Sequence, residues 1–217
     1  MSRLVVFDLD GTLVDSKRDL ADSANEMLRG YGAAALPVDA IAHMVGAGAA
    51  QLVARALQAA RLDVPLDEAL AHFLDSYDRR LTNHTRPYQG IPEMLAELES
   101  EGVNMALLTN KPLEASERIL ETFRLSRFFR LRVGGDGPWP RKPAPEGLRF
   151  LMEEASAQPS HTVLVGDSAV DLATARNAGV RICLARYGFG FADLAPETLR
   201  GDELVVDQPC QIVGAVR

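Results

Sequence analysis

The sequence predicts an α/β fold: a parallel sheet with helices on both faces and an all-helical segment inserted near its start. Three observations carry this. From residue 91 onward, short apolar runs alternate with stretches of helical period, the order that builds a parallel sheet with crossover helices. Between residues 16 and 83, four helical stretches follow one another with no strand between them. At 217 residues and 47% apolar content, the chain can bury the core of one large domain carrying a sizeable insert.

The run at 4–7 reads as a short, fully buried strand. Residues 19–31 have helical spacing through Leu20, Ala24, Met27 and Leu28, and end among glycines. Residues 38–45 form a short helical segment, broken by Val45-Gly46-Ala47-Gly48. Helical spacing resumes over 49–60 with Leu52, Val53, Ala56 and Leu57, and again over 66–81 with Leu70, Phe73, Leu74 and Tyr77. The alternating part then predicts helices at 91–101, 113–123, 145–155 and 172–178. Strands are predicted at 103–108, 129–133, 162–165, 180–184 and, weakly, 203–206.

The formal net charge is −7, which argues against sequence-independent nucleic-acid binding. Two cysteines, Cys183 and Cys210, indicate no disulfide framework. No apolar run approaches the ~18 residues of a membrane span. The N-terminus reaches Asp8 without a basic region and apolar stretch, so no signal peptide is expected and the cytoplasm is the expected location.

The chemistry gathers at strand ends. The first strand ends in Asp8-Leu9-Asp10-Gly11. Thr109-Asn110 follows the second, and Gly166-Asp167-Ser168, with Asp171, follows a third; Lys142 precedes the helix at 145. A parallel sheet brings such ends to one edge. Clustered carboxylates call for a cation, and oxygen ligands suit Mg²⁺. A hydroxyl, backbone N–H groups and a lysine suit a phosphoryl group, on which a carboxylate can act as nucleophile. An Asp after a strand also serves simply as a helix N-cap. The chain has only three lysines, Lys17, Lys111 and Lys142, which makes one at this place less incidental. Gly134-Gly135-Asp136-Gly137 does not form a dinucleotide turn; it reads as a loop near the site, with a supporting role open to Asp136. The four histidines share no metal-ligand spacing.

DLDGT after one apolar strand, LLTN after a second, an isolated KP and GDSAVD after a third, in this order, resemble the four motifs of the haloacid dehalogenase superfamily. The resemblance covers essentially the whole chain. FDLDGTLVDS, VGAGAAQLVARAL, PYQGIPEMLAEL, LLTNKP, KPAPEGLRFLM, VGDSAVDLATARNAG and ARYGFG are most similar to the phosphoglycolate phosphatase-like group. The resemblance implies a Rossmann-like core at 1–15 and 84–217 and a helical cap domain at 16–83. It implies Asp8 as nucleophile and Asp10 as general acid/base. Mg²⁺ would be held by Asp8, Asp167 and the backbone carbonyl of Asp10, with Asp171 ligating through water or supporting that set. Thr109 and the Asn110 amide match the phosphate-binding pair, and Lys142 the residue that offsets charge. Gly46 and Gly48 would let the backbone approach the substrate, and Arg55 is a candidate for a substrate carboxylate.

The expected activity is hydrolysis of a small phosphomonoester, 2-phosphoglycolate first, by a monomer or homodimer that uses neither nucleic acid nor membrane. A sugar-phosphate or nucleotide phosphatase is the near alternative. A dehalogenase needs neither Asp10 nor a metal, and a cation pump carries Thr at position 10 in a far longer chain. A phosphonate hydrolase needs a cap lysine, and a phosphomutase a polar cap loop where this chain has VGAGAAQLV. A receiver domain lacks the helical insert, and a non-catalytic phosphate-binding relative would have lost Asp8 or Asp10.

Overall fold

The structure, a computed structural model, describes residues 2–217. The chain begins with strand β1 (Leu4–Phe7) and a two-residue strand β2 (Val14–Asp15). Four helices follow, α1 (Lys17–Gly30), α2 (Val38–Ala42), α3 (Ala49–Ala60) and α4 (Leu66–Asp78). After the short β3 (Arg86–Pro87) come α5 (Ile91–Ser100), β4 (Asn104–Leu108), α6 (Leu113–Thr122), β5 (Leu131–Val133) and α7 (Glu146–Glu154). The chain closes with β6 (Thr162–Gly166), α8 (Ala169–Ala178), β7 (Arg181–Ala185), β8 (Leu204–Val206) and α9 (Gln211–Val216).

Six strands form one parallel sheet in the order β5-β4-β1-β6-β7-β8. The side-chain period of two divides each strand between two cores. Val5, Phe7, Met105, Leu107, Val163, Val165 and Cys183 join the core that covers one face. Leu4, Val6, Ala106, Leu108, Leu164, Ile182 and Leu184 join the other, with Leu148 and Leu151 of α7 and Leu172 and Ala175 of α8. β1 is therefore apolar at every position, as burial on both faces demands.

Two features escape the sequence pattern. β2 and β3 pair antiparallel, Val14 with Pro87 and Asp15 with Arg86, where the chain enters and leaves its helical segment; two residues each are too few to show a period. Helix α9 is also short, and buries Ile212, Val213 and Val216. Among the described residues, no helix is long and apolar enough to cross a membrane. Cys183 is buried, Cys210 is exposed, and both are free thiols.

The return of the chain at residues 84–85 is fastened by a buried acid. Asp19, in the first turn of α1, has no solvent exposure. Its carboxylate accepts the His84 N–H at 2.9 and 3.0 Å, the Thr85 N–H at 2.7 Å and the Thr85 hydroxyl at 2.8 Å. Burial of the charge is tolerable because these donors replace water. Asp19→Ala strands them, so the free energy of unfolding should fall by on the order of 3 kcal/mol, read as a lower urea midpoint at unchanged slope; an unfolding curve overlaying wild type contradicts the assignment.

Candidate active site

Strand register sets the floor of the site. Phe7 lies beside Leu107 on one side and Val165 on the other. Asp8 extends β1 by one residue, its N–H bonding the Val165 carbonyl at 2.9 Å. Thr109 and Asp167 lie one residue further along the flanking strands. Asp10 and Asp8 would point apart in a continued strand, but the chain turns at Gly11 (φ 85°). Only glycine fits there, since a Cβ would fall 2.0 Å from Oδ2 of Asp167.

The structure brings together Asp8, Asp167 and Asp171, whose nearest carboxylate oxygens all lie within 4.8 Å of one another. Lys142 sits between two of them, 2.9 Å from Oδ1 of Asp8 and 2.6 Å from Oδ1 of Asp171. The other donors are neutral. Leu9 N–H bonds Asp8 at 2.7 Å, Thr12 Oγ1 and Gly190 N–H bond Asp167 at 3.1 and 2.8 Å, and Ser168 Oγ bonds Asp171 at 2.6 Å. Asp171 also closes a capping box with Ser168 at the start of α8.

Three carboxylates against one ammonium leave two negative charges when all are ionised. Burial, with Asp171 nearby, outweighs Lys142 and pushes the Asp8 carboxyl up to about 6. Burial, Asp171 and Asp8 push Asp167 well above the usual carboxylate range. Burial pulls Lys142 down, but Asp171 and Asp8 hold it above its ordinary value. A buried, all-oxygen cluster with excess negative charge fits a hard divalent cation.

Asp10 supplies no carboxylate to this cluster; the ligand that the resemblance implies from it is its backbone carbonyl. Its carboxylate accepts Ser16 Oγ at 2.6 Å and Lys111 Nζ at 3.0 and 2.9 Å. Lys111 also donates to Tyr77 Oη of α4 at 2.5 Å. Burial lowers Lys111, yet Asp10 and Tyr77 hold it above its ordinary value. Sequence reasoning assigned no role to Lys111, Tyr77, Thr12, Ser16, Ser168 or Gly190. The scarcity of lysine was the available signal for Lys111; Tyr77 was hidden in an apolar helix stripe.

Asp8, Asp10, Thr109, Asn110 and Lys111 line a cavity of about 280 Å³, roofed by Gly46, Gly48 and Ala49 and walled by Leu20, Leu52, Phe73, Tyr77 and Leu81. Thr109 is nearly fully buried there. The Asn110 side chain is not free for a ligand, because its amide donates to the carbonyls of Gly46 (2.9 Å) and Lys142 (3.0 Å) and accepts the Lys142 N–H (2.8 Å). Only the Asn110 backbone N–H, without a hydrogen-bond acceptor among the described residues, faces the role expected of its amide. Lys142 lies outside the cavity wall, behind Asp8. Arg55 is a correction: it is exposed on α3, donates to the Met44 carbonyl at 3.2 Å, and does not line the cavity. Leu52, Val53, Ala56 and Leu57 take the inner face of that helix and leave Arg55 outside. In the glycine-rich loop, Asp136 accepts the Leu113 N–H at 2.8 Å. A Cβ on Gly135 would lie 2.1 Å from the Asn110 carbonyl; the loop packs tightly beneath residues 109–111.

Fold and site define a parallel α/β protein with buried carboxylates gathered at its strand ends in a cation-fitting cluster. Residues 5–185 match the haloacid dehalogenase-like hydrolase model, and the chain belongs to that family. A phosphoglycolate phosphatase of Pseudomonas putida is 38% identical over 214 residues, 95% of this chain and 77% of the relative. One of Cupriavidus necator is 38% identical, covering 93% of this chain and 87% of the relative. The crystal structure of a predicted phosphoglycolate phosphatase from Haemophilus somnus superposes with a TM-score of 0.92 at 28% identity, over 100% of this chain and 98% of that one.

Because the Asp8 pKa is raised in the fold from 3.8 to about 6, the folded state binds more protons than the unfolded one between those values. Asp8's contribution to the stability of metal-free protein therefore falls as pH rises through this window, by on the order of 3 kcal/mol. The same proton competes with a divalent cation. Saturating Mg²⁺ should raise Tm more at pH 7.5 than at pH 5; equal shifts in paired thermal melts contradict the shared site.

Proposed function

We propose that the chain hydrolyses 2-phosphoglycolate to glycolate and phosphate through a phosphoryl group carried on Asp8. Its class, phosphoric monoester hydrolase, follows from the family and from relatives of that activity. The observation that carries the mechanism is the placement of Asp8: buried, bonded to Lys142, beside Asp167 and Asp171, and open to the cavity.

An Asp8 carboxylate oxygen attacks phosphorus as the bond to the leaving alkoxide breaks, and Asp10 gives that alkoxide its proton. Asp10, now ionised, takes a proton from the water that attacks the aspartyl phosphate, which frees phosphate and restores Asp8. Lys111 and Ser16 hold the Asp10 carboxylate for both transfers. Thr109 Oγ1 and the Asn110 N–H serve the phosphoryl oxygens, and Lys142 offsets the charge of Asp8 from behind. Asp8, Asp167 and the Asp10 carbonyl would hold Mg²⁺, with Asp171 supporting them, and the ion would neutralise charge on the phosphoryl group. Residues 16–83 act as a cap domain whose 45–49 loop and α4 close over the leaving group and exclude water.

Asp8→Asn should abolish steady-state turnover of 2-phosphoglycolate with the melting transition retained; near wild-type rates remove Asp8 as nucleophile. Asp10→Asn should lower kcat by ~10²–10⁴-fold, and burst kinetics should show both half-reactions slowed. A chelator should stop phosphate release and excess Mg²⁺ restore it; full activity in the chelator overturns the metal assignment.

A further inference from the structure

Resting on the phosphatase reading above, we propose that Tyr77 and Lys111 form the subsite for a carboxylate on the leaving group, and so select phosphomonoesters with an anion next to the ester carbon.

The first argument is position. Lys111 Nζ bonds both carboxylate oxygens of Asp10, the group that meets the ester oxygen in the proposed reaction. A carboxylate one carbon beyond that oxygen has little room to move away from the pair. The second is the supply of cations. Lys111 and Arg118 are the cationic residues on the cavity wall among the described residues. Arg118 is exposed and ion-paired with Asp78, which lines the same mouth as Glu114. The mouth is thus acidic on balance and disfavours an anion, whereas the interior holds the buried Lys111.

The third argument is the donor pattern. The three N–H groups of Lys111 are directed at the two Asp10 oxygens and at Tyr77 Oη. Tyr77 accepts that bond, so its own hydroxyl hydrogen is left over, and it has no acceptor among the described residues although the side chain is nearly fully buried. An ammonium 2.5 Å behind it polarises this O–H toward an anion. The ammonium also lies 4.5 Å from the Tyr77 ring centroid, which fixes the pair to one another. The remaining walls, Leu20, Leu52, Phe73 and Leu81, offer a carboxylate no polar partner and weaken the screening of this one.

The test compares kcat/KM for 2-phosphoglycolate with kcat/KM for 2-hydroxyethyl phosphate, which has the same length and a neutral end. Because Lys111 also holds Asp10, the ratio is the readout, and a general loss of activity cancels in it. Wild type should favour 2-phosphoglycolate by tenfold or more. Tyr77→Phe and Lys111→Met should each shrink that preference about tenfold, the size of one hydrogen bond to a charged group, chiefly through KM in Tyr77→Phe. Tyr77→Phe keeps the ring and decides alone if Lys111→Met does not fold. A preference unchanged within twofold in Tyr77→Phe overturns the subsite. So does a wild type that turns over both esters equally, and that result leaves the phosphatase reading standing. A wild type that turns over neither overturns that reading and the subsite with it.

Discussion

Lys142 is bonded to Asp8 and Asp171 at once, and the rest of the site depends on that ammonium. Without it three buried carboxylates would face one another across a few ångströms, and the cheapest response would be to protonate them or to pull the strand ends apart. The lysine keeps the acids close while leaving the cluster short of positive charge. That residual imbalance is what makes the edge of the sheet receptive to a cation. The nearby Asp10 is paired with a different lysine, Lys111, so two ion pairs stand side by side.

The sheet supplies what this arrangement needs in rigidity. β1 is apolar at all four positions and paired on both sides, so Asp8 emerges from a strand held by two neighbours. The flanking strands carry Thr109 and Asp167 in fixed register with it. The helical segment brings Tyr77, Gly46 and Gly48 from the other direction. It is joined to the sheet by the β2–β3 pair, by Asp19 at residues 84–85, by the Asn110–Gly46 and Lys111–Tyr77 hydrogen bonds, and by a shared apolar core.

Much of this was legible in the sequence for a physical reason. A strand buried on both faces must be apolar throughout, so carboxylates at its end stand out, and the same contrast exposes Thr109-Asn110 and Asp167. Helical period alone starts α8 three residues late, because the helix opens on the Ser168–Asp171 capping box rather than on an apolar residue. Other features were hidden because their meaning is tertiary. Lys111 acquires its role only when α4 delivers Tyr77 to it. Asn110 carries a motif-like amide that the fold uses on backbone groups. Arg55 lies on the solvent side of α3, because Leu52, Val53, Ala56 and Leu57 take its inner face. β2 and β3, two residues each, and α9, six, are too short for a period to repeat often enough to be recognised.

The Asn110 amide joins the 45–48 loop to the loop before α7 through one side chain. Swinging the Gly46 carbonyl away breaks a single neutral hydrogen bond, a net cost of about 1 kcal/mol with water ready to replace the lost partner. A bond of that size gives the 45–48 loop one defined point of contact with the loop before α7 without fastening it there.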